Sequence, residues 1–236
     1  MADRFRTTRW SLVLSASGED EGSRAALDWL CRTYWYPLYA FVRRQGHDAE
    51  AASDLTQSFF VSLLERSALR QLDPAAGKFR AFLLASIKHF LSNQRTRDDA
   101  LKRRTDDAAF RIDLDDAEGR YGMEAAPSLG PDELFESRWA RSILERALRR
   151  LREENETAGR EEIFRRLSRH LTGDEPPYKR TAEDLGMTEG TLRVAVHRLR
   201  QRLGALLREE VAQTLSDSED IDAELRSLVE AAGRGA

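Results

Sequence analysis

The chain has 236 residues, and 38 lysines and arginines stand against 41 aspartates and glutamates, for a formal net charge of -3. Glycine and proline are sparse and β-branched runs are nearly absent, which excludes fibrous and sheet-rich classes and predicts an all-α protein with small cores. A single cysteine, Cys31, excludes an internal disulfide and is read as a core residue rather than a nucleophile.

The first apolar run, WSLVL near the start, is far shorter than a signal peptide or a membrane span requires. A soluble cytoplasmic protein with no membrane partner is the expectation. Residues Ala25 to Arg44 then read as a helix with Leu27, Leu30, Tyr34, Leu38, Phe41 and Val42 on one side. Pro37 is expected to kink it. Gly46 and His47 mark a turn. A second helix is expected from about Ala49 to Arg66, with Ala52, Leu55, Phe59 and Leu63 inward and Asp54, Gln57 and Ser58 outward. Pro74 and Gly77 break the loop that follows. A third helix, from about Phe79 to Arg97, interleaves Phe79, Phe82 and Phe90 with Lys78, Arg80, Lys88 and Arg95. Most of those rings also satisfy a packing stripe.

Thr105 to Pro131 has weak periodicity, many acids and several glycines and prolines. It reads as a linker with a short helical piece near Ala117 to Tyr121. A second domain is expected from Asp132. Leu134, Trp139, Ile143, Ala147, Leu148 and Leu151 outline its first helix, and Ile163, Phe164, Leu167 and Leu171 its next.

Thr181 to Leu203, TAEDLGMTEGTLRVAVHRLRQRL, reads as two helices joined by a glycine turn. Thr181 is expected to cap the first helix, with Asp184 completing a capping-box-like pair. Gly186 supplies the left-handed turn and Thr188 caps the second helix. Leu192, Val196, Leu199 and Leu203 form an apolar stripe, with Arg193, His197 and Arg200 opposite. Glu189, Gly190, Thr191 and Val194 sit near the helix start, where groove-reading residues lie in helix-turn-helix proteins. The plainer reading is a helical hairpin with a solvated basic face. Beyond it, Ile221, Leu225, Leu228 and Val229 outline a small amphipathic tail helix, expected to pack on this DNA-reading domain.

The near-neutral total hides blocks of charge. Cations from Lys78 to Arg104 face only Asp98 and Asp99, and the helix-turn-helix is basic, whereas the linker and tail are acidic. Two cationic patches with acidic spacers suit nucleic-acid binding at two places, weakened by the chain's own acids. The four histidines, His47, His89, His170 and His197, show no metal-ligand spacing. Gly77-Lys78 lacks the earlier glycine and the following hydroxyl of a phosphate loop. No metal, no cofactor and no catalytic residue is expected.

Three motifs in this order carry a resemblance. ASDLTQSFFVSLLE (Ala52 to Glu65), GKFRAFLLASIKHFLSNQR (Gly77 to Arg95) and LGMTEGTLRVAVHRLRQRL (Leu185 to Leu203) are similar to those of a bacterial RNA polymerase sigma factor of the extracytoplasmic-function type. The resemblance spans roughly Ala25 to Val211. It implies two helical domains, sigma domain two at 25–104 and sigma domain four at 132–212. An N-terminal extension (1–24), an acidic linker (105–131) and a C-terminal extension (213–236) complete the division. The implied partners are core RNA polymerase and promoter DNA, with an anti-sigma factor or a kinase as the open class of regulator.

The resemblance also assigns roles. Asp54, Gln57, Ser58 and Glu65 would grip the polymerase clamp; a solvated helix face is the alternative. Lys78, Arg80, Lys88, His89, Asn93, Arg95 and Arg97 would contact the minus-ten DNA, and the loop Leu72 to Lys78 would receive a flipped base. Thr191, Arg193, Val194, His197, Arg198 and Arg200 would face the minus-thirty-five duplex. The linker would thread a cationic channel of polymerase, or serve as a plain tether. Ser53 and Ser58 stand where family members often carry acids, so phosphorylation there could replace the missing charge. Lys88 and His89 replace an arginine-asparagine pair. The rival reading is a helix-turn-helix regulator that acts without core polymerase; the front half shows no receiver-like alternation of strands and helices.

Overall fold

The computed structural model describes residues 21–65, 78–95, 114–123, 128–171, 177–215 and 220–234, and among them there are helices and connections but no strand. In chain order the helices are α1 (Glu21–Arg44), α2 (Ala49–Glu65), α3 (Phe79–Arg95), α4 (Leu114–Met123), α5 (Pro131–Thr157), α6 (Glu161–Leu167), α7 (Tyr178–Asp184), α8 (Glu189–Ala212) and α9 (Ile221–Arg234). A 3-10 turn, Ser168–His170, follows α6. The all-α expectation holds for these residues.

They divide into two compact units. The front unit holds the described residues up to Ser142 together with those from Ala212 onward; the rear unit is Ile143–Val211. The division falls inside α5 rather than at Asp132. A reason is visible in α5 itself. Leu134, Phe135, Trp139 and Ala140 are all buried, which is wider than the single stripe a helix at a domain edge needs.

In the front unit, α1 is the central rod. Tyr34, Leu38, Tyr39, Phe41 and Val42 are wholly enclosed. The helix runs on through Pro37. Four residues earlier, the Thr33 hydroxyl donates to the Trp29 carbonyl at 2.7 Å. Gly46, with φ 97°, makes the turn into α2, where a side chain would be strained. The rings of α3 are structural: Phe79 meets Tyr34 edge-on at 5.4 Å, and Phe90 meets Phe59 at 5.7 Å. Cys31 is buried, and burial, aided by Asp28, pushes its thiol up to about 12, so it stays protonated at neutral pH.

The linker segment holds more structure than a tether needs. Within it, α4 docks on α1: the Tyr39 hydroxyl donates to Glu118 at 2.5 Å, and Arg43 makes a two-pronged pair with the same carboxylate at 2.6 and 3.0 Å. Arg43 holds the Glu118 carboxyl below its usual range. Arg120 lies 4.2 Å over the Tyr36 ring. Arg44 donates to the Leu129 carbonyl at 2.8 and 2.9 Å, fixing the approach to α5.

The tail helix corrects an expectation. α9 belongs to the front unit and not to the rear one. Its inward face carries Glu224, Leu228 and Ala231, all buried.

The rear unit packs Ala147, Leu151, Phe164, Leu167, Ala182, Leu192, Val196, Leu199 and Leu206 into one core. An ionic lattice brackets it. Glu210 accepts from Arg146 at 3.0 Å and Arg150 at 2.9 Å, and Arg202 makes a forked pair with Glu154 at 2.6 and 2.9 Å.

Candidate nucleic-acid interface

The rear candidate is built by α7, the glycine turn and α8. α7 starts at Tyr178, with Pro177 before it, one turn earlier than the sequence suggested. Thr181 therefore does not cap it. Its side chain is buried, and its hydroxyl meets His170 Nε2 at 3.2 Å. Asp184 pairs with Arg166 instead of closing a capping box. Gly186 has φ 64° and turns the chain as expected. The Thr188 hydroxyl accepts the Thr191 amide at 3.2 Å, which is the expected cap of α8.

Leu192, Val196 and Leu199 point into the core, and Leu203 packs against it. That leaves Thr191, Arg193, Val194, His197 and Arg198 exposed on one side of the first half of α8. Val194 is 51% exposed among these polar neighbours. Two of the expected contacts are already held. Arg193 pairs with Glu189 at 2.6 Å and lies 5.1 Å from the Tyr178 ring centroid. Arg200 donates to the His170 carbonyl at 2.9 Å, so it braces the domain as well as facing solvent. Arg202 is similarly engaged by Glu154.

The front candidate differs. On α2, Asp54 is exposed and Gln57 and Ser58 are half-buried. Val61 continues that face two turns on from Asp54 and is 49% exposed, a feature the sequence reading missed. Its signal was an apolar residue on the polar side of the helix. Ser53 is buried, with its hydroxyl accepting from Gln57 at 3.3 Å, so a kinase has no access to it in this conformation. Ser58 keeps partial exposure.

On α3 the expected strand contacts are largely taken. Arg80 is only 7% exposed. Its Nε donates to Glu136 at 2.6 Å, its Nη2 donates to the Ser227 hydroxyl at 3.1 Å, and it pairs with Glu224. The same guanidinium lies 4.4 Å over the Trp139 ring. Lys78 pairs with Glu224 at 2.6 Å, and Lys88 with Asp132 at 2.5 Å. Arg80 thus stands against the expectation of an open DNA contact. The acids that hold these cations come from α5 and α9, and nothing in the sequence pattern joined them to α3. His89 and Asn93 are bonded to each other at 2.9 Å and remain at the surface. Arg97 and the loop 72–77 lie outside the described residues, as do the side chains of Glu65 and Arg95.

Among the described residues, no cluster of histidine, cysteine or carboxylate side chains could hold a metal ion, and no helix is long and apolar enough to cross a membrane. No protein-family model, curated protein or solved structure matches the chain.

Proposed function

We propose that this chain is a transcription initiation factor of the extracytoplasmic-function sigma type. It binds core RNA polymerase, directs it to particular promoters and helps to part the strands. The observation that carries this reading is the outward face of α8. A glycine turn and a threonine cap set the start of that helix, its stripe is buried, and Val194, His197 and Arg198 stand in solvent. A rod of this kind fits the major groove, where a good two-pronged arginine contact to guanine gives about 1–3 kcal/mol of discrimination.

The front unit supplies the second half of the task. The α2 face with Asp54, Gln57 and Ser58 would meet basic groups of the polymerase clamp through charge-assisted hydrogen bonds. The cations around α3 would hold the backbone of a parted strand. Phosphorylation at Ser58 would add about −1.5 to −2 charge to the clamp face. A Ser58→Glu chain should then bind core polymerase more tightly than Ser58→Ala, and equal affinities would dismiss that role.

Reconstitution tests the whole. Purified chain is added to core polymerase on genomic fragments, and transcript starts are mapped. Starts at defined sites that depend on the chain are expected. If the chain binds duplex DNA but never recruits polymerase, the rival helix-turn-helix regulator takes its place.

A further inference from the structure

Three acids, from α5 and α9, sit on the cations that a strand-trapping face would use. Glu224 is the most informative of them. It is 1% exposed, it lies between Lys78 and Arg80, and it comes from a helix at the far end of the chain. A buried carboxylate costs several kcal/mol in desolvation unless cations compensate it. Glu224 is therefore held where two cations converge. Glu136 completes the balance on Arg80, so two positive groups meet two negative ones. Leu228 and Ala231, one and two turns on, seat α9 by apolar burial, and Ser227 gives Arg80 a further acceptor. The opposite side of the helix is polar, apart from Val229, which is 67% exposed.

We propose that α9 is an intramolecular stand-in for the phosphate backbone, and that it closes the cationic face of the front unit until it is displaced. The ligand it excludes is single-stranded DNA. The carboxylate of Glu224 does for Lys78 and Arg80 what a phosphate group would do: it pairs with both and offsets their charge. A strand and α9 cannot both hold these two groups. Free chain then binds a strand weakly, because only the fraction with α9 released is competent, and apparent affinity falls by that fraction. Partners that favour the released form, polymerase among them, raise it. This inference rests on reading the front unit as a strand-binding module.

The test uses the full chain and a fluorescent single-stranded DNA oligonucleotide of mixed sequence. Glu224→Gln keeps the shape and removes the charge. It should bind the oligonucleotide about three- to ten-fold more tightly than the parent chain. Glu230→Gln changes net charge equally at an exposed position of the same helix and should bind like the parent. A second measurement needs no variant: at saturating oligonucleotide, the α9 amides of the parent chain should exchange hydrogen faster. Equal affinities of the parent and Glu224→Gln chains, or α9 amides that stay protected at saturation, overturn the proposal. Should Glu224→Gln fail to fold, the exchange measurement on the parent decides alone. Polymerase that starts normally while these readouts stay flat removes the closure and leaves the sigma reading intact. If no chain binds the strand and polymerase never starts at a defined site, the sigma reading fails as well.

Discussion

In the front unit Arg80 touches Glu136, Glu224, Ser227 and the face of Trp139, and almost none of it meets solvent. In the rear unit Arg198 stands exposed on the first half of α8. The residue type is the same and the settings are opposite. Helical periodicity explains Arg198, because a buried stripe leaves the other side of the helix outward. It does not explain Arg80. There the inward direction became tenable only because distant acids and a ring arrived to receive a charge that could not be buried alone. Local pattern governs a cation at a surface; a buried cation is governed by its partners.

The sharpest way to break this contrast is to remove the floor beneath Arg80. Trp139 is fully enclosed. Trp139→Ala should cost the front unit about 3–5 kcal/mol through the cavity alone. Denaturant unfolding should then show the front transition moved to lower denaturant, with the rear transition in place. A loss below about 1 kcal/mol would mean that Arg80 and its acids hold this region without the ring.

A smaller effect is expected from the rear unit's own buried acid. Burial raises the carboxyl pKa of Glu210, but Arg146 and Arg150 outweigh it, and the net direction is downward. A carboxyl depressed on folding contributes stability that is fully present above the ordinary carboxylate range. That contribution is lost as pH falls through the ordinary range to the lowered folded value. Glu210→Gln should cost about 1–3 kcal/mol near neutral pH, because two arginines lose their ionised acceptor. It should also flatten the acid limb of the stability curve. A limb as steep as the parent's would assign the acid sensitivity to other groups.

Much of this was legible in the sequence, for a physical reason. Leu192, Val196, Leu199 and Leu203 repeat at helical spacing, and a repeat of that kind has to be buried somewhere. Gly186 and Thr188 punctuate the chain in ways few other residues can. What escaped was of two kinds. One was competition between local signals: Thr181 has the chemistry of a cap, but Pro177 starts α7 a turn earlier and leaves Thr181 inside to meet His170. The other was long-range pairing. No spacing rule links Glu224 to Lys78 and Arg80, and the breadth of burial around Phe135 and Ala140, where α5 begins inside the front unit, emerges only in the structure.

Gly186 offers a finer cut. At φ 64° it occupies a conformation that costs an L-residue about 1–2 kcal/mol, yet a Cβ there would meet nothing within 4 Å. Gly186→Ala should therefore destabilise the rear unit by about that backbone cost, with no steric addition. A larger loss in thermal unfolding would show that the turn is under strain from elsewhere.

The smallest effect on stability, and the most telling for function, is expected at Arg198. Its exposure places Arg198→Ala within about 0.5 kcal/mol of the parent in unfolding. Its consequence for duplex binding depends on what it touches. A base-edge contact would cost about 1–3 kcal/mol and relax preference at one position of the promoter. A phosphate contact would weaken all sequences alike and lower the slope of log affinity against log salt by about one. Measuring affinity for a selected promoter duplex and a scrambled one, each at several salt concentrations, separates the two. Binding unchanged on both duplexes would remove the exposed side of α8 from DNA reading, and with it the asymmetry between an open rear helix and a closed front one.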